Sequence, residues 1–214
     1  MDTVKKEVES LVQELKNPKT NLTRIRAIAD ETGKNTDLAD ALWATGIIKA
    51  RLLSLLLFDL KTVDEKRIDS MIADIEKAPE KDQVQLSDWL LSNVIMKKNP
   101  LKKQVAGWAS ENSLIKQRLY WQFRAKTIGA EDKELNLQLL DYLENHIVDA
   151  PPLVQWTMNW CIASIGIQDE TLRERCIRIG EKNGLYKDYP VSKGCTSPYL
   201  PIWINAVVNK KNKK

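Results

Sequence analysis

Helix-breaking residues punctuate this chain at short, even intervals, and the stretches between them carry helical rather than strand periodicity. Asn17-Pro18, Gly33, Gly46, Ala78-Pro79, Asn99-Pro100, Gly129, Pro151-Pro152 and Gly184 each read as a helix stop. Thr36, Asp64, Ser113 and Asp169 stand where an N-cap is expected. The spacing predicts helices over 3–16, 21–32, 36–45, 47–59, 64–77, 82–96, 101–110, 113–128, 132–148, 152–167, 170–183 and 198–209. No alternating strand follows a hairpin dipeptide anywhere. Taken two by two, the helices form units of about 30–40 residues, the period of HEAT-like pairs. The expected fold class is all-α, an α-solenoid or superhelix of such pairs in one domain spanning 1–214. A compact irregular bundle is the alternative architecture.

Composition bounds the chemistry. The 214 residues are 43% hydrophobic with eight glycines, enough to bury a substantial core. The most apolar run, 47–58, is interrupted by Lys49, Arg51 and Ser54 and is too short for a bilayer, so no membrane partner is expected. The first residues read as a charged amphipathic helix rather than a signal peptide, giving an expected cytoplasmic location. Cys161, Cys176 and Cys195 are widely spaced and odd in number, which argues against a disulfide framework. His146 is the single histidine. Neither a zinc site nor any other metal site follows from that set, no cofactor is expected, and a helix-end role for His146 is the simpler reading. GEKNG near 180 ends a helix at Asn183-Gly184 and is not a phosphate loop.

Charge is unevenly distributed along the chain. Residues 1–80 carry slightly more acid than base, whereas residues 97–126 hold Lys97, Lys98, Lys102, Lys103, Lys116, Arg118, Arg124 and Lys126 against the single acid Glu111. A block of +7 in an otherwise near-neutral chain is the footprint of a polyanion. A solvated basic face would leave the same trace. The terminal NKKNKK, in the expected disordered tail 209–214, is a weaker sign.

Two further segments stand out. In ENSLIKQRLYWQFRAKTIG, helical geometry gathers Leu114, Ile115, Arg118, Trp121, Gln122 and Ala125 on one arc and turns Gln117, Tyr120 and Arg124 away. Arg118 thus occupies an apolar face, where a guanidinium needs a carboxylate, a carbonyl or a phosphate. In VQWTMNWCIASIG, Val154, Met158, Cys161, Ile162 and Ile165 form a core arc, while Trp156, Trp160 and Ala163 lie together on another face, either as a ligand surface or as a second core contact.

With these motifs in order and at this spacing, the chain resembles the DNA alkylation repair enzymes, HEAT-like-repeat alkylpurine DNA glycosylases. GWASENSLIKQRLYWQF is similar to that family's tryptophan, polar turn and arginine-bearing helix, and MNWCIASIG to its asparagine-tryptophan helix. The resemblance implies a right-handed superhelix whose concave basic surface holds DNA, with the DNA-facing repeats around 82–167. It implies Arg118 beside the DNA backbone, Trp160 with Trp156 facing the lesion, and Lys102, Lys103, Arg124 and Lys126 on phosphates. It also implies a catalytic aspartate on the helix before the basic turn. In KDQVQLSDWLLSNVIMKKNP that residue is Asp88, at the edge of the Val84, Leu91 and Ile95 arc; a second register places Gln85 there instead.

The implied chemistry is release of positively charged N3- or N7-alkylated purines. Such bases leave without a general acid, and a carboxylate stabilises the oxocarbenium-like sugar and positions water. Tryptophan faces add cation–π attraction of about 0.5–2 kcal/mol. Two departures bear on activity: Val84 stands where the family has a tryptophan, and Ala163 where related sequences have an arginine. The functions expected are therefore alkylpurine excision from duplex DNA, non-catalytic binding of duplex or branched DNA, or a HEAT-type protein scaffold with an acidic partner. A monomer is expected. In YPVSKGCTSPYLPIWINAV, Gly194, Pro198 and Pro201 read as a turn into a short last helix packed through Trp203 and Ile204, with Cys195 structural.

Overall fold

The computed structural model describes residues 2–211, and all regular structure within them is helical. Twelve α-helices follow in order: α1 Asp2–Lys16, α2 Leu22–Thr32, α3 Thr36–Ala44, α4 Ile48–Leu57, α5 Glu65–Glu76, α6 Glu80–Asn93, α7 Asn99–Ala106, α8 Leu114–Thr127, α9 Lys133–His146, α10 Pro152–Gln168, α11 Glu170–Asn183 and α12 Leu200–Lys211. Short 3-10 turns cover Leu60–Thr62, Ile95–Lys97 and Trp108–Ser110. The helix expected over 82–96 thus breaks at Asn93, and 101–110 breaks at Ala106.

The caps follow side-chain chemistry. Asp64, Ser113 and Asp169 accept the backbone N–H groups of Arg67, Lys116 and Thr171. Thr36 is not a cap: Asn35 accepts the N–H of Leu38, and Thr36 is the first helical residue. The Thr36 hydroxyl instead meets the Thr62 hydroxyl at 3.2 Å. Gly184 closes α11 at φ 64°, a left-handed conformation that a Cβ would strain. Pro152 opens α10 at the position where a missing N–H costs nothing.

The chain divides into two compact units, 1–104 and 105–214, with the boundary inside α7. In the first unit, α4 packs against α2, α3 and α6, while α1 packs on α3 and α5 on α6. Accordingly α4 is buried on most of its circumference, at Ala50, Leu52, Leu53, Leu55 and Leu57. Its one buried hydroxyl, Ser54, donates to the Ala39 carbonyl at 2.7 Å, which removes the desolvation cost.

In the second unit α10 is the central helix, packed against α8, α9, α11 and α12. Two glycines permit the close approach of α12. A Cβ at Gly166 would lie 2.8 Å from Ile204 Cδ1, and one at Gly180 would lie 2.6 Å from Leu200 Cβ and 2.8 Å from Pro201 Cδ. The atoms facing Gly180 include a side-chain root and a proline ring, which cannot swing aside. Gly180→Ala is therefore expected to destabilise the protein by about 1–3 kcal/mol, measured by denaturant unfolding. An unchanged midpoint would mean that α11 and α12 are less closely packed.

Ile204 and Leu200 are fully buried and Trp203 is partly so, as expected for the last helix. The basic residues Lys210 and Lys211 belong to the last turn of α12 rather than to a disordered tail; 212–214 lie outside the described residues. Among the described residues, no helix is long and apolar enough to cross a membrane.

Candidate nucleic-acid interface

In the second unit, α8 starts at Ser113 and buries Ile115, Arg118, Leu119, Tyr120, Trp121, Gln122, Phe123 and Ala125. The one-sided arc expected for this helix is incomplete. Tyr120, expected to point away, is 5% exposed, whereas Leu114, expected on the apolar arc, is 42% exposed. α8 packs against both α10 and the 108–110 turn, and a helix enclosed on several sides loses the single-stripe pattern.

Arg118 is 2% exposed, and its Nη1 donates to the backbone carbonyl of Leu153 in α10 at 3.0 Å. A backbone carbonyl is thus among the partners that its position demanded. Sequence reasoning placed Arg118 beside a DNA backbone; here its guanidinium is enclosed between α8 and α10, bonded to its own chain.

The end of α8 is more open. Lys126 is exposed, and its Nζ lies 5.0 Å from the ring centroid of the half-buried Trp160 on α10. Arg124 is half-buried, its guanidinium carbon 5.2 Å from the Tyr120 ring and 5.7 Å from that of Phe123. Its Nε is buried without a hydrogen-bond partner. Arg124 also lies close enough to Cys161 to oppose, weakly, the upward shift that burial imposes on that thiol. Arg124, Lys126 and Trp160 thus gather where the end of α8 meets α10.

Trp156 is half-buried on the same side of α10, but its ring meets Tyr186 at 5.2 Å and Tyr189 at 5.5 Å. The two tryptophans therefore have different neighbours. The core arc of α10 is buried at Val154, Met158, Cys161, Ile162 and Ile165, and Ala163, expected beside the tryptophans, is fully buried with it. Asn159, next to Trp160, is 1% exposed and donates to the Pro198 carbonyl at 2.9 Å, tying the segment before α12 to α10.

Tyr186 adopts a positive φ of 62°, and its hydroxyl donates to Gln155 at 3.3 Å. Burial, then the neighbouring Tyr189, push this phenol up to about 12. Asp169 has burial acting upward, but hydrogen bonds from Thr171, Asn136 and the Thr171 and Leu172 backbone outweigh it and hold the carboxyl below the usual range.

In the first unit, Asp88 is half-buried on α6 between the buried Ser87 and Trp89. Leu91 and Ile95 are fully buried and Val84 partly, but Ile95 lies beyond the end of α6 on the 3-10 turn, so the expected arc is not continuous along one helix. The Trp89 ring carries the Arg26 guanidinium at 4.8 Å. Lys98 is structural, donating to the carbonyls of Leu60 at 3.0 Å and Val63 at 2.5 Å. Lys97 and Lys103 are exposed and Lys102 is partly buried.

Of the basic block, then, Lys98 and Arg118 serve backbone carbonyls, and Lys116 lies 3.8 Å from Glu111 and 5.3 Å from the Trp108 ring. Lys97, Lys102, Lys103, Arg124 and Lys126 form no ion pair among the described residues.

The remaining titratable candidates have plain structural settings. His146 lies in the last turn of α9, its Nδ1 2.7 Å from the Tyr142 carbonyl and its ring stacked on Tyr142 at 4.0 Å. Cys161 and Cys176 are buried free thiols, the latter pushed up to about 12 by burial, and Cys195 is free and exposed. Among the described residues, no cluster of three or more histidine, cysteine or carboxylate side chains is arranged to hold a metal ion. Sequence reasoning passed over Arg26 and Lys34, which lie in the acid-rich part of the chain far from the basic block.

Helical pairs bearing a basic, partly aromatic surface define an all-α protein of the HEAT-like repeat class. The chain belongs to the DNA alkylation repair enzyme family, whose sequence profile matches residues 15–184. It is similar in fold to a solved structure described as "a new family of proteins related to the HEAT-like repeat DNA glycosylases with affinity for branched DNA structures", with a TM-score of 0.67 at 16% identity. That match covers 97% of this chain and 88% of the other. No curated protein matches the chain at a significant level.

Proposed function

We propose that this protein binds DNA through its phosphate backbone, duplex and branched DNA alike, as a cytoplasmic monomer. The observation that carries the reading is that five cations, Lys97, Lys102, Lys103, Arg124 and Lys126, form no ion pair among the described residues, within one window that holds a single acid. Backbone contacts of this kind supply affinity without sequence readout, and selection then rests on DNA shape and deformability. The affinity for branched DNA described for the fold neighbour supports the same reading. A HEAT-type scaffold with an acidic protein partner would leave the family match unexplained.

Excision of N3- or N7-alkylated purines is the second reading, favoured by the half-buried Asp88 carboxylate on α6. Against it stands Lys126, whose ammonium already occupies a face of Trp160. A cationic base stacking on that face would meet a like charge before gaining the cation–π attraction. Val84 withholds a second aromatic wall.

A base-release assay on methylated duplex DNA separates the two readings. Asp88→Asn is expected to leave DNA affinity unchanged and to reduce any release of N7-methylguanine by ~10²–10³. No release by the wild type decides for binding alone, and release insensitive to Asp88→Asn removes Asp88 from the chemistry.

A further inference from the structure

Within the first unit, a groove of about 380 Å³ opens between the ends of α2, α4 and α6. Three cations line it from different parts of the chain: Arg26 on α2, Lys34 in the loop after it, and Lys97 on the 3-10 turn after α6. Asn93 and the acid Asp30 also line it. All three cations are exposed and none forms an ion pair among the described residues.

We propose that this groove is a phosphate-binding station, in which Arg26 and Lys34, from outside the basic block of residues 97–126, join Lys97 of that block to hold one phosphodiester of the DNA backbone.

Helix-end chemistry accounts for only part of the arrangement. Lys34 donates to the Leu56 carbonyl at 2.7 Å, as a cation near the end of α4 should. Arg26 and Lys97 have no such task. Arg26 is held across the Trp89 ring, and its contact with the Leu22 carbonyl is long, at 3.5 Å. Lys34 is held below the ordinary lysine range, first by partial burial and then by the charge of Lys97, so the two ammonium groups repel each other where they stand. An anion between them reverses that repulsion into two attractions. The guanidinium fork of Arg26 matches phosphate oxygens, and its stacking on Trp89 fixes its direction in advance.

The charge sum of the first 80 residues hides Arg26 and Lys34, because acids slightly outnumber bases there. The proposal rests on DNA binding as the function, and the test is built to tell the two failures apart. In the full-length chain, Arg26, Lys34 and Lys97 are replaced together by glutamine. Exposed Lys61, Lys66 and Lys81 are replaced together as a control of equal charge. Affinity for duplex DNA is measured over a range of salt, with circular dichroism to confirm the fold.

The groove variant is expected to lose affinity several-fold and to lower the salt slope by ~0.9, the value of one lost phosphate contact, while the control keeps the wild-type slope. Equal slopes for wild type and groove variant overturn the proposal but leave DNA binding standing, and so does an equal loss in the control. Inorganic phosphate, followed by the amide chemical shifts of Gly33 and Lys34, provides the second arm. Shifts saturating with phosphate in a protein whose DNA slope ignores the groove variant would assign the site to a free anion and overturn the DNA source. A wild type that does not bind DNA overturns both readings.

Discussion

Arg118→Ala is expected to lower the melting temperature by roughly 6–12 °C, the equivalent of about 3 kcal/mol for a chain of this size. The side chain is 2% exposed and bonds the Leu153 carbonyl, so truncation removes a buried hydrogen bond between α8 and α10 and leaves a cavity the width of a guanidinium. Arg118→Lys should recover only part of the loss, because a single ammonium cannot reproduce the planar fork. Thermal unfolding followed by circular dichroism provides the measurement. DNA affinity, taken at a temperature where the variant is folded, should stay near that of the wild type. A stable variant with lost affinity would return Arg118 to the DNA backbone.

Replacement of Lys102, Lys103 and Lys126 by glutamine is expected to act in the opposite way, on affinity and not on folding. Among the described residues none of the three forms an ion pair or a hydrogen bond whose loss would unsettle a helix, although Lys126 gives up its contact with Trp160. If each neutralises one phosphate, the salt slope falls by ~2.7 and affinity near physiological salt drops on the order of 10². The loss should be similar for unrelated duplex sequences, since phosphates carry no sequence. A triple variant that binds as the wild type does would empty the basic block of function.

These two variants mark how far the sequence could be read. The helices were legible because their ends are chemical: Asp64, Ser113 and Asp169 cap, and Gly184 takes the left-handed turn. Thr36 was misplaced by one residue because Asn35 and Thr36 are both good capping residues, and only the backbone shows which of them is still extended. The anomaly of Arg118 was visible in the periodicity, but a carbonyl that it bonds lies 35 residues away, so periodicity named the need and not the answer. Tyr120 and Leu114 were turned the wrong way for a related reason: helical angles assume one buried face, and α8 has neighbours on several.

Of the groove of Arg26, Lys34 and Lys97, only Lys97 left a local signal, as the first residue of the basic block. The members are separated by up to one third of the chain, and the acids around Arg26 and Lys34 cancel those two in a running sum. Asn159 shows the converse. It stands in the segment that resembles the family's asparagine-tryptophan helix, and in this fold it holds the Pro198 carbonyl and thereby the approach to α12.

Phosphate-mediated DNA binding is tested most directly by the salt dependence of affinity in the wild-type chain. Affinity for a plain duplex and for a four-way junction should fall steeply as salt rises, with a slope of about −2.7 or steeper on a logarithmic plot if at least Lys102, Lys103 and Lys126 each release a counterion. A slope near zero, or no binding to either DNA at low salt, would contradict it.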